Sequence, residues 1–319
     1  MHERQTDPEP GAKRIQVTTW YAGPFPVARG RGLRRWALAA VLLPVSVLGA
    51  TLASATDPAH VRPFDPAAIH VLAIGSCPPW RPDFNDCERD VSLFTEAVRD
   101  TIGVPPDQII TLVDEQATAI AVRQTFLQLQ TSMAEGSVII VYYNGHGTLL
   151  PKEDGAKGEM QETFLLWSES APFAALYAVH AGIWMTDREL AQLIGTLQIR
   201  DALVVLDTCY ALGASNEMMA RADGSELEGV ALMASSLAHE RSWASEQSAI
   251  FTRNLVNAMR SGSATLHEAF QKAGPGTVSE AAELCADAGS IRSGGDCAPQ
   301  DPALVDPGGI TGRFHLVGR

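Results

Sequence analysis

Two apolar runs that stop on reactive residues constrain this chain most. Val138-Ile139-Ile140-Val141-Tyr142-Tyr143 leads into Asn144-Gly145-His146-Gly147, and Leu203-Val204-Val205-Leu206 leads into Asp207-Thr208-Cys209. Each run is short and has no alternation of polar residues, which predicts a parallel strand buried on both faces. In open α/β sheets ligands bind at the carboxyl ends of the strands, and His146 and Cys209 would stand there. A free thiol titrates at about 8.5 and is mostly protonated at neutral pH, so a thiol nucleophile needs a nearby imidazole to take its proton. Glycines on both sides of His146 let backbone come close to a ligand and present an N–H to an oxyanion.

Around these runs, strands alternate with helices. Residues 69–75 and 109–113 read as strands, and between them Val91, Phe94, Val98 and Ile102 recur at helical spacing. Ala119, Val122, Phe126, Leu129 and Met133 form one apolar face, a helix of about four turns. Residues 187–197 read as a helix with Thr186 as N-cap and Leu190, Leu193, Ile194 and Leu197 inward. A strand at 229–235 and a helix at 248–260 follow. This rhythm predicts an α/β fold with a mostly parallel central sheet covered by helices on both faces. Outside it, 152–161 and 212–228 read as polar loops. After Gly274 the chain is rich in Gly, Asp and Pro and is expected to wrap the surface before a last short strand at 313–317.

The first 55 residues differ in composition from the rest. They hold seven Lys/Arg against three Asp/Glu, leaving 17 basic and 34 acidic side chains in the remainder. Such an acidic body argues against nucleic acid as a partner and favours cationic ligands. Arg29, Arg31, Arg34 and Arg35 precede an apolar stretch, 36–53, that closes on Ala53-Ser54-Ala55. Basic region, apolar core and small-residue ending mark a secretory signal, with an uncleaved membrane anchor as the alternative. Arg34-Arg35 also resembles a twin-arginine export signal of bacteria. Residues 1–55 are thus expected to be a leader, 56–68 a linker and 69–317 the folded domain, exported to the periplasm or outside the cell, or anchored by 36–53. In an oxidising compartment Cys77 with Cys87 and Cys285 with Cys297 would close short loops and leave Cys209 as the odd thiol. No C-x-x-C pair or His/Cys cluster points to a metal site.

The motifs resemble the caspase-fold cysteine peptidases, most closely the metacaspases and their bacterial relatives. Tyr142-Tyr143-Asn144-Gly145-His146-Gly147 is similar to the family's H-Y-S-G-H-G element, with Asn144 in place of Ser. Asp207-Thr208-Cys209-Tyr210 is similar to its D-x-C-x-S-G element, although Ala211-Leu212 replaces Ser-Gly. The likeness extends over about 69–317, including Ala234-Ser235-Ser236, Phe251-Thr252 and Gly312-Arg313-Phe314. It implies an αβα sandwich, Cys209 as nucleophile, His146 as general base and then acid, and the N–H groups of Gly147 and Cys209 as oxyanion hole, without a third catalytic group. It also implies a pocket for the residue before the cut, built by Cys87, Asp90, Asn144 and Asp207. Two carboxylates there imply cleavage after Arg or Lys, since carboxylate holds guanidinium bidentately.

The resemblance also implies self-cleavage in the loop after the nucleophile, where Arg221 is the candidate. Metacaspases are activated by calcium through an Asp-rich stretch. Here that stretch reads Lys152-Glu153-Asp154-Gly155-Ala156-Lys157-Gly158-Glu159, and two lysines among three acids suit a cation wanting six to eight oxygens badly. No cofactor is therefore expected and calcium is expected to matter little. The leading expectation is an exported endopeptidase acting on peptides or proteins with basic residues. Two others stay open: a catalytically silent module that grips basic peptides, and a cysteine transpeptidase using the same thioester chemistry.

Overall fold

The computed structural model describes residues 62–81, 86–152, 158–220, 229–245, 248–291 and 299–317. In chain order they form β1 (Ile69–Ser76), α1 (Cys87–Ala97), β2 (Ile109–Val113), α2 (Ala119–Ser132), β3 (Ser137–Gly145), β4 (Gly147–Pro151), β5 (Met160–Phe164), α3 (Ala175–His180), β6 (Met185–Thr186), α4 (Asp187–Gly195), β7 (Ile199–Asp207), α5 (Ser215–Met219), β8 (Val230–Ala234), α6 (Ile250–Arg260), α7 (Leu266–Ile291) and β9 (Ala303–Val305). The main sheet runs β2-β1-β3-β7-β8-β9. Its first five strands are parallel and β9 is antiparallel to β8. A small antiparallel sheet, β4-β5-β6, branches off directly after His146.

Alternation along the strands divides the core in two. Val71, Ile140, Tyr142, Leu203 and Val205 face α1, α6 and α7, and Phe94 of α1 stacks on Tyr142 with ring centroids 4.2 Å apart. Leu72, Ile139, Val141, Tyr143 and Leu206 face α2, α4 and α5 on the other side. The central strands β3 and β7 are buried almost end to end, as the unbroken apolar runs required. Thr118 and Thr186 cap α2 and α4, each accepting a backbone N–H three residues on. The expected α/β sandwich is therefore the observed one.

Three local expectations fail, each for a tertiary reason. Residues after Gly274 do not leave the helix: α7 continues through Pro275 to Ile291. Its glycine at 276 serves packing, because a Cβ there would lie 2.6 Å from Oδ1 of Asn254 on α6. Residues 313–317 are not a strand. A 3₁₀ turn, Ile310–Arg313, precedes them, and the sixth strand is β9, whose three residues are too few for a pattern to announce. The loop expected at 212–228 begins instead as a 3₁₀ turn, Ala211–Ala214, and α5. Its candidate cleavage site, Arg221, lies outside the described residues, as do the leader, the apolar stretch 36–53, Glu153 to Lys157 of the acid-and-lysine stretch, and Cys297.

The C-terminal segment is tied to the base of the sheet by one cation. Arg313, buried, donates from Nη1 to Asp201 of β7 at 3.2 Å and from Nε to the Arg62 carbonyl at 3.1 Å. Its guanidinium also lies 4.1 Å from the ring centre of Phe64. Without Arg313, Asp201 keeps Arg200, whose Nε lies 2.7 Å from its Oδ2, but the Arg62 carbonyl and the Phe64 ring lose their partner. Arg313→Ala is expected to lower the unfolding free energy by about 1–3 kcal/mol, measured by urea denaturation followed by circular dichroism.

Candidate active site

Register brings the reactive residues together. The parallel pairing of β3 with β7 sets Asn144 opposite Asp207. Two residues further along each chain come His146 and Cys209, both partly exposed at the carboxyl edge of the sheet. The backbones touch there: a Cβ on Gly147 would sit 2.5 Å from Thr208 Oγ1, 2.7 Å from the Cys209 carbonyl oxygen and 3.5 Å from its nitrogen. Only glycine permits this approach.

Each reactive residue is held by its neighbours' backbone. The hydroxyl of Tyr143 donates to the His146 carbonyl at 2.8 Å, and Leu165 N–H donates to the same oxygen at 3.0 Å. Behind Cys209, the hydroxyls of Ser235 and Ser236 at the end of β8 reach the Thr208 carbonyl at 3.2 and 3.1 Å. Tyr210 follows in the left-handed region, with φ of 65°, its N–H bound to the Glu240 carbonyl at 2.8 Å. A non-glycine residue in that conformation costs about 1–3 kcal/mol, and it turns the chain sharply out of the sheet just after the thiol. Cys209 is the free thiol among the described cysteines, and its Sγ lies 3.9 Å from the Ser242 carbonyl oxygen. Burial pushes this thiol up from its ordinary value, while the Ser242 contact and the charges of Arg241 and Arg81 pull it down.

The pocket residues lie on the α1/α6 face. Asp207 is buried; its carboxylate accepts from Ser242 Oγ at 2.6 Å, Thr252 Oγ1 at 2.7 Å and Thr252 N–H at 2.9 Å. Asp90, in the first turn of α1, accepts Ala249 N–H at 3.0 Å. Burial, with the Asp207 charge nearby, pushes Asp90 up to about 7, and burial raises Asp207 as well. Asn144 is fully buried, and neither end of its amide meets a hydrogen-bonding partner among the described residues. Cys87 is bridged to Cys77, with Cα atoms 5.8 Å apart, fastening the start of α1 to the end of β1. Cys285 is disulfide-bonded and buried.

Four side chains have a place here that the sequence did not assign them. Arg81 places Nη2 3.5 Å from Nδ1 of His146. Ser242 and Thr252 answer the Asp207 carboxylate, but their partnership depends on loop closure that no local pattern encodes. Glu162 of β5 is buried beneath the turn that follows Cys209, its Oε2 2.5 Å from where a Cβ on Gly213 would be. Burial and then the charge of Asp187 push Glu162 up to about 9, against the Ala214 N–H. Near it Lys152 Nζ lies 2.6 Å from Glu217 Oε1, and Arg188 Nε 3.4 Å from Oε2. Glu217 is thus answered by two basic side chains; among the described residues no group of three or more His, Cys, Asp or Glu is arranged to hold a metal.

A free thiol and an imidazole stand at adjacent parallel strand ends of an αβα sandwich. Residues 71–275 match the family model described as Caspase domain, and the chain belongs to this family of cysteine peptidases. In Arabidopsis thaliana, metacaspase-7 is 30% identical over 98 residues, 29% of this chain and 24% of that protein. Metacaspase-4 of the same plant is 30% identical over 83 residues, 24% of this chain and 20% of that protein. The matched segments span a quarter or less of these relatives. Among solved structures, a Geobacter sulfurreducens protein is similar with TM-score 0.49 and 16% identity, covering 74% of this chain and 92% of its own. Caspase-1 from Spodoptera frugiperda gives TM-score 0.45 and 8% identity, covering 77% and 88%.

Glu162 supplies a test of this packing. Its carboxyl titrates ordinarily near 4.5 and at about 9 in the fold, so the native state holds a proton that the unfolded chain has lost. That contribution is complete below 4.5 and is lost as pH rises through 9. Wild-type stability is therefore expected to decline relative to Glu162→Gln between pH 5 and 9, measured by urea midpoints at each pH. Parallel pH curves would contradict the buried neutral acid.

Proposed function

We propose that this protein is an exported cysteine endopeptidase that hydrolyses peptide bonds after arginine or lysine. The observation that carries the reading is the contact of Gly147 with Cys209, which sets the His146 and Cys209 strand ends side by side beside a buried pair of carboxylates. His146 takes the proton of Cys209, and the thiolate attacks the scissile carbonyl carbon. The N–H groups of Gly147 and Cys209 receive the oxyanion, a contribution of about 2.7–4 kcal/mol for each well-placed donor. His146 then protonates the leaving amine, and water hydrolyses the thioester.

The Asp207 charge is close enough to raise the titration of Asp90, and Asn144 adds a buried amide opposite Asp207. A guanidinium or ammonium entering there relieves the repulsion and gives both carboxylates a charge-assisted partner. The cystine of Cys77 and Cys87 is a bond that persists in oxidising compartments, in keeping with export through the leader at 1–55 or retention by the apolar stretch 36–53. Among the described residues no helix is long and apolar enough to cross a membrane. A clip at Arg221 would sever the segment after α5, and it depends on the same specificity.

The test is a panel of fluorogenic peptides ending in Arg, Lys or Asp, with Cys209→Ala as control. Arg and Lys peptides are expected to be cut, and cutting to vanish in the control. Asp90→Asn is expected to lower kcat/KM on Arg peptides at least ~30-fold, about 2 kcal/mol, because a buried cation then loses a charged partner. Asp90 sits at about 7 when the pocket is empty and must be ionised to hold a cation. Hence kcat/KM of the wild type is expected to rise through pH 7 more steeply than that of Asp90→Asn. Cleavage after Asp would overturn the pocket. Binding without cleavage would mean a silent module, and products longer than the substrate a transpeptidase.

A further inference from the structure

Arg81 has no part in the chemistry just described, yet it lies against the imidazole. Its Nη2 lies 3.5 Å from Nδ1 of His146, which sets the guanidinium charge against the imidazole edge. The backbone under Arg81 is fixed: its N–H bonds to the Pro78 carbonyl at 2.9 Å. Trp80 donates from Nε1 to the Ser168 carbonyl at 3.0 Å and stacks on Trp184 with centroids 6.2 Å apart. Cys77, four residues before, is tied to Cys87 and donates its N–H to Asp114. Arg241 adds a second positive charge near the thiol, next to Ser242, whose carbonyl meets Sγ. In a chain with 37 acidic and 24 basic side chains, two guanidinium groups at the reactive pair run against the overall charge.

The side on which Arg81 stands follows from the chemistry. The imidazole hands its proton to the departing amine, so it lies on the leaving-group side of the scissile bond. A guanidinium against that ring stands on the same side. Guanidinium matches a carboxylate in geometry as well as charge. We propose that Arg81 is a specificity-determining residue that receives a carboxylate of the substrate's leaving portion, either the acidic side chain of the first residue after the cut or the free C-terminal carboxylate of a one-residue leaving group. This inference rests on the peptidase reading, with Cys209 as nucleophile and His146 on the leaving side.

The test uses matched peptides of one sequence with Arg before the cut. One pair carries Glu or Gln after it, within a longer peptide with an amidated end. A second pair ends at that residue, as Gln with a free carboxylate or with an amide. For each, kcat/KM is measured with wild type and Arg81→Gln, and Kd with Cys209→Ala and with Cys209→Ala/Arg81→Gln. Ratios within one variant are compared, so a change in overall activity cancels. Glu is expected to be favoured over Gln, or free carboxylate over amide, by about tenfold in wild type, falling toward one without Arg81 and shrinking at high salt. The pair that responds identifies the source of the carboxylate. Ratios near one in wild type, or ratios that survive Arg81→Gln, would overturn the proposal. If no peptide is cut, the peptidase reading fails separately, and the Kd ratios still decide the carboxylate site: a preference abolished by Arg81→Gln upholds it, and equal or unmeasurable binding ends it.

Discussion

The parallel pairing of β3 with β7 is the constraint on which the rest of the site depends. A parallel ladder advances both chains in the same direction, so residues that end their strands in register also leave the sheet side by side. Asn144 opposite Asp207 therefore fixes where Gly147 and Cys209 meet, and a shift of one residue would turn every buried side chain to the other face. The contact of Gly147 with the Thr208-Cys209 backbone leaves no room for a side chain, which makes the glycine a steric requirement of the strand pairing as well as a candidate oxyanion donor.

The carboxyl edge of the sheet is also where the fold concentrates buried polar groups. Asp207, Asp90, Asn144 and Glu162 are all buried within this one region, and the first two share the α1/α6 face with Thr252 and Tyr142. Burying acids near one another is unfavourable, and the fold limits the cost in two ways. Backbone N–H groups and hydroxyls satisfy Asp207 and Asp90, while Glu162 keeps its proton beneath the turn after Cys209. Asp90 and Asp207 lie to the α1/α6 side of the reactive pair, and Arg81 lies against His146.

Much of the fold was legible because its signals are local. The bounds of β2 and the apolar faces of α1 and α2 follow from periodicity, and Thr186 caps α4 as its position before Asp187 suggested. Where the reading failed, distant contacts had overruled local preference. Gly274-Pro275-Gly276 carries strong breaker residues, yet the close approach of α7 to Asn254 of α6 uses the small residue, and packing holds the helix through the proline. The three residues of β9 become a strand only because β8 offers an edge.

The sequence by itself determined the strand ends that carry His146 and Cys209, the family, and the placing of Asp207 two residues before the thiol, since apolar runs and short motifs are properties of neighbouring residues. Only the tertiary structure decided how those groups are partnered. Asp207 meets Ser242 and Thr252, Asp90 meets Ala249, Glu162 lies under Gly213, and Arg81 reaches His146 across 65 residues of chain. Hydrogen bonds and charge pairs act over a few ångströms in space, and separation along the chain says nothing of that distance until the sheet has set its register.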